Sequence, residues 1–135
     1  MTRQQRTGWG YVAVYAWAAP NTLLGALVGL ATLATGGRGR LVAGVLEFHS
    51  GAAQWLLRWG AGGASALTLG HVILGQTATD LDAAREHEWV HVEQYERWGP
   101  AFLPAYLGCA AWLWLRGRRA YWDNPFEMEA YRRAG

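Results

Sequence analysis

The sequence predicts an α+β fold: a small antiparallel sheet, then a helix carrying His87-Glu88-Trp89-Val90-His91, then two further helices, all preceded by an apolar helical segment. Three observations predict it. No acidic or basic side chain occurs between Thr7 and Gly37, and the run Asn21–Leu30 is almost wholly apolar. From Leu41 to Leu74 β-branched and aromatic residues alternate with glycines (Gly44, Gly51, Gly60, Gly62, Gly63, Gly70), the texture of short strands joined by turns. Finally, two histidines at i and i+4 with a glutamate between them share a metal only on a helix.

Taken in order, residues 1–37 read as helix, bent or broken at Pro20 and ended by Gly36-Gly37. Candidate strands are Leu41–His49, Ala53–Trp59, Ala64–Leu69 and His71–Leu74, with Gly70 as a bulge; the part from Gln54 to Trp59 also suits a helix. Thr79 or Asp80 caps the next helix, which runs to Trp98 and is stopped by Gly99-Pro100. A second helix covers Ala101–Leu115, with Pro104 tolerated in its first turn and Arg116, Arg118 and Arg119 at the C-terminal end of its dipole. The last helix starts at Asn124-Pro125 and runs to the end of the chain.

Composition narrows the classes. At 135 residues the chain is one domain, and any site is assembled from few elements. Twelve basic against 10 acidic residues are too balanced for a dedicated nucleic-acid binder, despite a pI near 9.0. The single cysteine, Cys109, excludes a disulfide framework and a thiolate zinc cluster. Nine tryptophans and six tyrosines, many flanking apolar runs, point to membrane association through the N-terminal segment. A mean hydropathy of −0.03 argues against several spans, and arginines on both sides (Arg3, Arg6; Arg38, Arg40) give no orientation. The alternative is a cytoplasmic protein whose apolar hairpin docks on itself or on a partner chain. So much Trp and Leu in so short a chain also predicts a homo-oligomer.

The five residues His87–His91 place both imidazoles on one helix face, with Glu88 about 100° round the cylinder. A hydrolytic zinc site takes three protein ligands and leaves one position for water. No histidine follows His91, and Gln94 and Arg97 stand where the longer H-E-x-x-H-x-x-G-x-x-H form needs Gly and His. The third ligand is therefore His49, His71 or a downstream carboxylate, for which Glu93, Glu96, Asp123, Glu127 and Glu129 are the candidates. On the same helix Glu93 and Glu96 point about 240° and 180° away from His87, whereas Glu127 and Glu129 belong to a later helix. These two lie about 200° apart, so only one can face the metal. Asn124-Pro125-Phe126-Glu127 also reads as a capping box, leaving Glu127 as ligand or cap. His71, among apolar residues, reads as a core histidine or a fourth ligand; His49 reads as a strand-end residue. Gln94, within about 20° of His87, is placed to support a ligand from behind.

His87-Glu88-x-x-His91 followed by Glu127-Met128-Glu129-Ala130-Tyr131 resembles the gluzincin group of zinc metallopeptidases. The resemblance covers Gly70 to the C-terminus. It implies a minimal zincin-like domain over 38–135, zinc (Zn2+) held by His87, His91 and Glu127 with Glu129 as fallback, Glu88 as general base, and a peptide or protein substrate. Tyr131 stands where the family often has an aspartate behind a ligating histidine. An oxyanion donor is also required, and Tyr95, two turns from Glu88 on nearly the same face, is the first candidate, ahead of Tyr106, Tyr121 and Tyr131. Such a domain aligns substrate along an edge strand, for which His71–Leu74 is the candidate. The runner-up function is a non-catalytic zinc-binding structural or membrane-associated interaction protein, in which the metal staples helices together.

Overall fold

The structure is a computed structural model that describes residues 8–134; the flanking arginines Arg3 and Arg6 lie outside the described residues. Helix α1 (Gly8–Ala34) leads into a sheet of β1 (Arg38–Val42), β2 (Val45–His49), β3 (Ala66–Leu69) and β4 (Val72–Gly75). Between β2 and β3 lies α2 (Gly51–Trp55), continued by a π-helical turn, Leu56–Gly60. Then follow α3 (Ala78–Trp98), α4 (Phe102–Leu115) and α5 (Pro125–Ala134).

The fold is α+β, but the sheet is mixed. Its order is β1-β2-β4-β3, with β2 parallel to β4 and the other pairings antiparallel. The reason lies in Ala53–Trp59, which is helical and not a strand. A parallel pair needs a crossover rather than a tight turn, and this helical segment supplies part of it. Consequently the strand after Gly70 is internal, and β3 is the edge that faces α3. Gly70 itself is a turn residue at φ 63° and not a bulge.

Alternation along the strands sends Phe48, Val72 and Leu74 to one face, where they meet Ala53 and Leu57 of the helical crossover. Val45 and Ile73 go to the other face and meet Leu81 and Val92 of α3. Helix α1 seats on the first face through glycines: a Cβ on Gly25 would stand 2.6 Å from Val72 Cβ, and one on Gly29 would stand 2.4 Å from the Phe48 ring. Pro20 does not break α1, which runs through it as one helix. Flanking contacts hold it there: Ala18 is fully buried, and Asn21 Nδ2 donates to Gly99 O (3.1 Å).

Helix α3 begins two to three residues earlier than predicted. Thr77, not Thr79 or Asp80, is its N-cap, its hydroxyl accepting from Asp80 N at 3.1 Å. Its first turns are tied to the sheet by Glu47, which is fully buried and receives Arg40 Nε (2.9 Å) and both Arg85 Nε (2.8 Å) and Arg85 Nη2 (2.9 Å). Arg85→Met leaves Arg40 as the remaining partner of this buried carboxylate and removes two charged hydrogen bonds, so it is expected to cost about 2 kcal/mol in urea denaturation. Metal content per folded chain should be unchanged.

Much apolar surface remains outside. On α1, Leu23, Leu27 and Leu30 are each more than 60% exposed and form an i, i+4, i+7 stripe. On α4 only Phe102 and Leu113 are buried. The stretch Val12–Ala34 of α1 is long and apolar enough to cross a membrane by length and composition.

Candidate metal centre

His87, Glu88 and His91 project from the middle of α3 into a cleft of about 1000 Å³. Its walls are β3 with the loop before it, the first turns of α4, and α5. The i, i+4 spacing brings the two imidazole rings to 5.0 Å between centroids, nearly perpendicular. Gly99, at φ 56° and packed against the Trp17 ring, turns the chain out of α3 so that α4 and α5 return over this face.

The return places Glu127 between the histidines. Its Oε1 lies 2.9 Å from His87 Nε2 and 2.9 Å from His91 Nε2, while its Oε2 accepts from Tyr106 OH at 2.6 Å. Glu127 is therefore no helix cap. Asn124 fills that role, accepting from Phe126 N with its Oδ1 (3.1 Å). Burial would raise the Glu127 carboxyl, but hydrogen bonding to His87 and His91, the charge on His91 and the Tyr106 hydroxyl outweigh it and hold it at about 2.

Glu88 is the other acid in reach of both histidines. Its carboxylate and one ring nitrogen of each histidine all lie within 4.8 Å of one another. Unlike Glu127, it is held from the sheet: Thr68 Oγ1 on edge strand β3 donates to Glu88 Oε2 at 2.6 Å. Burial pushes the Glu88 carboxyl up, opposed by His91 and by the Thr68 hydrogen bond. A carboxylate raised in this way is a better proton acceptor than a solvated one.

Behind His91 sits Gln94. Its Nε2 donates to Phe126 O (3.0 Å) and to Glu129 Oε1 (2.7 Å), which leaves its Oε1 facing His91 Nδ1 at 2.8 Å. A carbonyl oxygen can only accept, so His91 carries a hydrogen on Nδ1. In the neutral ring Nε2 then bears a lone pair, aimed at a carboxylate oxygen 2.9 Å away. Two lone pairs face each other favourably only with a proton or a metal cation between them. The donor set of two imidazoles and a carboxylate suits zinc.

Other sequence candidates are placed elsewhere. Tyr95 lines the cleft, but its hydroxyl is buried and donates to Thr68 O (2.9 Å). Its proton is thus already used, which removes it as the oxyanion donor. Glu129 faces Gln94 and not the cleft, and the hydrogen bond from Gln94 holds its carboxyl below the usual range. Glu93 pairs with Arg133. His71 Nε2 lies 2.6 Å from Glu96 Oε2 on the far side of α3, with Tyr15 stacked on its ring at 3.7 Å, so His71 is a core histidine. His49 Nδ1 lies 2.9 Å from Ser50 Oγ at the end of β2.

Two contributions were not read from the sequence. Thr68 reaches Glu88 across twenty positions of chain, and Tyr106 reaches Glu127 across twenty-one. Threonine in a strand and tyrosine in an apolar helix carry no local signal of such a contact. The Tyr131 ring packs on His87 at 4.3 Å, and its hydroxyl lies 2.9 Å from Tyr121 OH, both residues lining the cleft. No protein family, curated protein or solved structure was found to match this chain.

Proposed function

We propose that the chain is a gluzincin-like zinc metallopeptidase that hydrolyses peptide bonds in this cleft. The observation that carries the reading is the meeting of His87 Nε2, His91 Nε2 and Glu127 Oε1 at one point, with the separately held carboxylate of Glu88 alongside. His87, His91 and Glu127 would hold the ion. When bound, zinc supplies a Lewis acid and lowers the pKa of water at the site.

The chain's own groups do the rest. Glu88 accepts a proton from water and passes it to the leaving amine, its carboxylate steadied by Thr68. Tyr106 occupies Glu127 Oε2 and so leaves Oε1 for the ion. The Tyr121 and Tyr131 hydroxyls share one hydrogen bond but own two protons, so one proton is free for a developing oxyanion. The edge strand β3 offers main-chain groups for an extended substrate, the role that the sequence assigned to His71–Leu74. The test is zinc analysis together with hydrolysis of an unfolded protein substrate by wild type and Glu88→Gln.

A second reading, a zinc staple without turnover, draws on the same geometry, because the site ties α3, α4 and α5 together. Retained zinc with no hydrolysis of any peptide by wild type would favour it.

We also infer that the protein is membrane-associated through α1. The stripe Leu23, Leu27 and Leu30 supports this, as does a helix of spanning length with 22% of its apolar window buried. Wild type is expected to float with liposomes, and Leu23→Glu/Leu27→Glu to stay in solution. If wild type stayed in solution as a dimer or larger species by light scattering, the stripe would be a subunit contact instead. A clean monomer that ignores liposomes would remove both roles.

A further inference from the structure

We propose that Glu129 and Gln94 form a positioning pair that locks His91 in its Nδ1–H form and so presents the Nε2 lone pair to the metal. The proposal rests on the zinc reading above and adds to it the residues that prepare one ligand before any ion arrives.

The geometry is a chain of directed hydrogen bonds. Gln94 is fully buried three residues beyond His91, its Oε1 against His91 Nδ1. An amide in this position could turn over and present its NH2 group, which would favour the opposite tautomer. Two acceptors prevent that: Phe126 O at 3.0 Å and Glu129 Oε1 at 2.7 Å, both on α5. Of these, Glu129 is the charged one. A carboxylate accepting from the amide N–H strengthens that bond and polarises the amide carbonyl, making Oε1 a better acceptor for the imidazole hydrogen.

The spacing of α5 explains why two glutamates are needed. Glu127 and Glu129 lie about 200° apart on their helix, so one reaches the front of His91 while the other reaches the amide behind it. His87 has no such support: among the described residues no hydrogen-bond partner is seen for its Nδ1, and its ring rests on Tyr131. His87 is therefore an internal control. Partners of this kind behind a metal-bound histidine typically carry about 10–100-fold in metal affinity.

The experiment uses the full chain. The tautomer is read in metal-free protein at about pH 9, where histidines are neutral, in a Glu127→Ala background, which takes away the carboxylate that would hold a proton on His91 Nε2. There 15N NMR of the imidazoles should show His91 as the Nδ1–H tautomer. With Gln94→Met added it should shift toward Nε2–H, with His87 unchanged. Zinc affinity, measured by competition with a chelator, should fall about 10–100-fold in Gln94→Met and less in Glu129→Met. Because Glu129 acts through Gln94, the double variant should bind no more weakly than Gln94→Met alone. An unchanged His91 tautomer in Gln94→Met, or losses that add in the double variant, would overturn the proposal. Should Gln94→Met fail to fold, Glu129→Met, at a partly exposed position, carries both readouts. Wild type that binds no zinc would sink the zinc reading, while the tautomer comparison would still decide on the pair.

Discussion

Purified protein is expected to carry one zinc per chain, and Glu127→Ala to lose it, while Glu129→Ala keeps the metal with weakened affinity. Glu127 touches both histidines through one oxygen, so its removal takes away a ligand and the group that sets the two rings against each other. The loss should exceed the ~10–100-fold that a supporting residue carries. Stability should follow. A ligand held at about 100 times its Kd adds roughly 2.7 kcal/mol to the folded state, so chelation should lower Tm by about 10 °C. In Glu127→Ala the chelator should change nothing. Equal zinc in wild type and Glu127→Ala would move the third ligand elsewhere. Wild type that stays free of zinc at neutral pH would mean that a proton, not a cation, joins His91 to Glu127.

The second large effect concerns Glu88. Glu88→Gln should keep its zinc and its fold, because the amide oxygen can still accept from Thr68, and should lose about 10²–10⁴-fold in hydrolysis. Shape is conserved and only the proton acceptor is removed. Zinc content also separates the two carboxylates in reach of the histidines. If Glu88→Gln shed the metal, Glu88 would be the ligand and Glu127 the outer group, reversing the assignment. Full activity in this variant, on a substrate that wild type cleaves, would show that the base lies elsewhere.

Helices with a strong local signal were legible in the chain. His87 and His91 at i and i+4, the Gly99-Pro100 stop, and Asn124-Pro125 ahead of α5 are local features, and the elements they mark are present, with the end of α3 and the start of α5 where expected and only the start of α3 two to three residues early. Where local signals conflicted, long-range packing decided. Ala53–Trp59 reads as a strand whose part Gln54–Trp59 also suits a helix, and it becomes helix because its Ala53 and Leu57 pack on Phe48, Val72 and Leu74. Pro20 would break an isolated helix, yet α1 is held on both sides of it by buried contacts.

The site divides in the same way. By itself the sequence determined that His87, Glu88 and His91 share one region of a helix, since three or four residues per turn leave no other arrangement. It also determined that Glu127 and Glu129 cannot face one ion together. Only the tertiary structure decided which of them turns to the histidines, because that depends on how α5 is seated against α3. The same holds for the hydroxyls. Tyr95, nearest to Glu88 along the helix, gives its proton to Thr68 O, whereas Tyr106, from a different helix, reaches Glu127. A hydrogen bond is set by the few ångströms around each donor, and those distances exist only once the helices have packed.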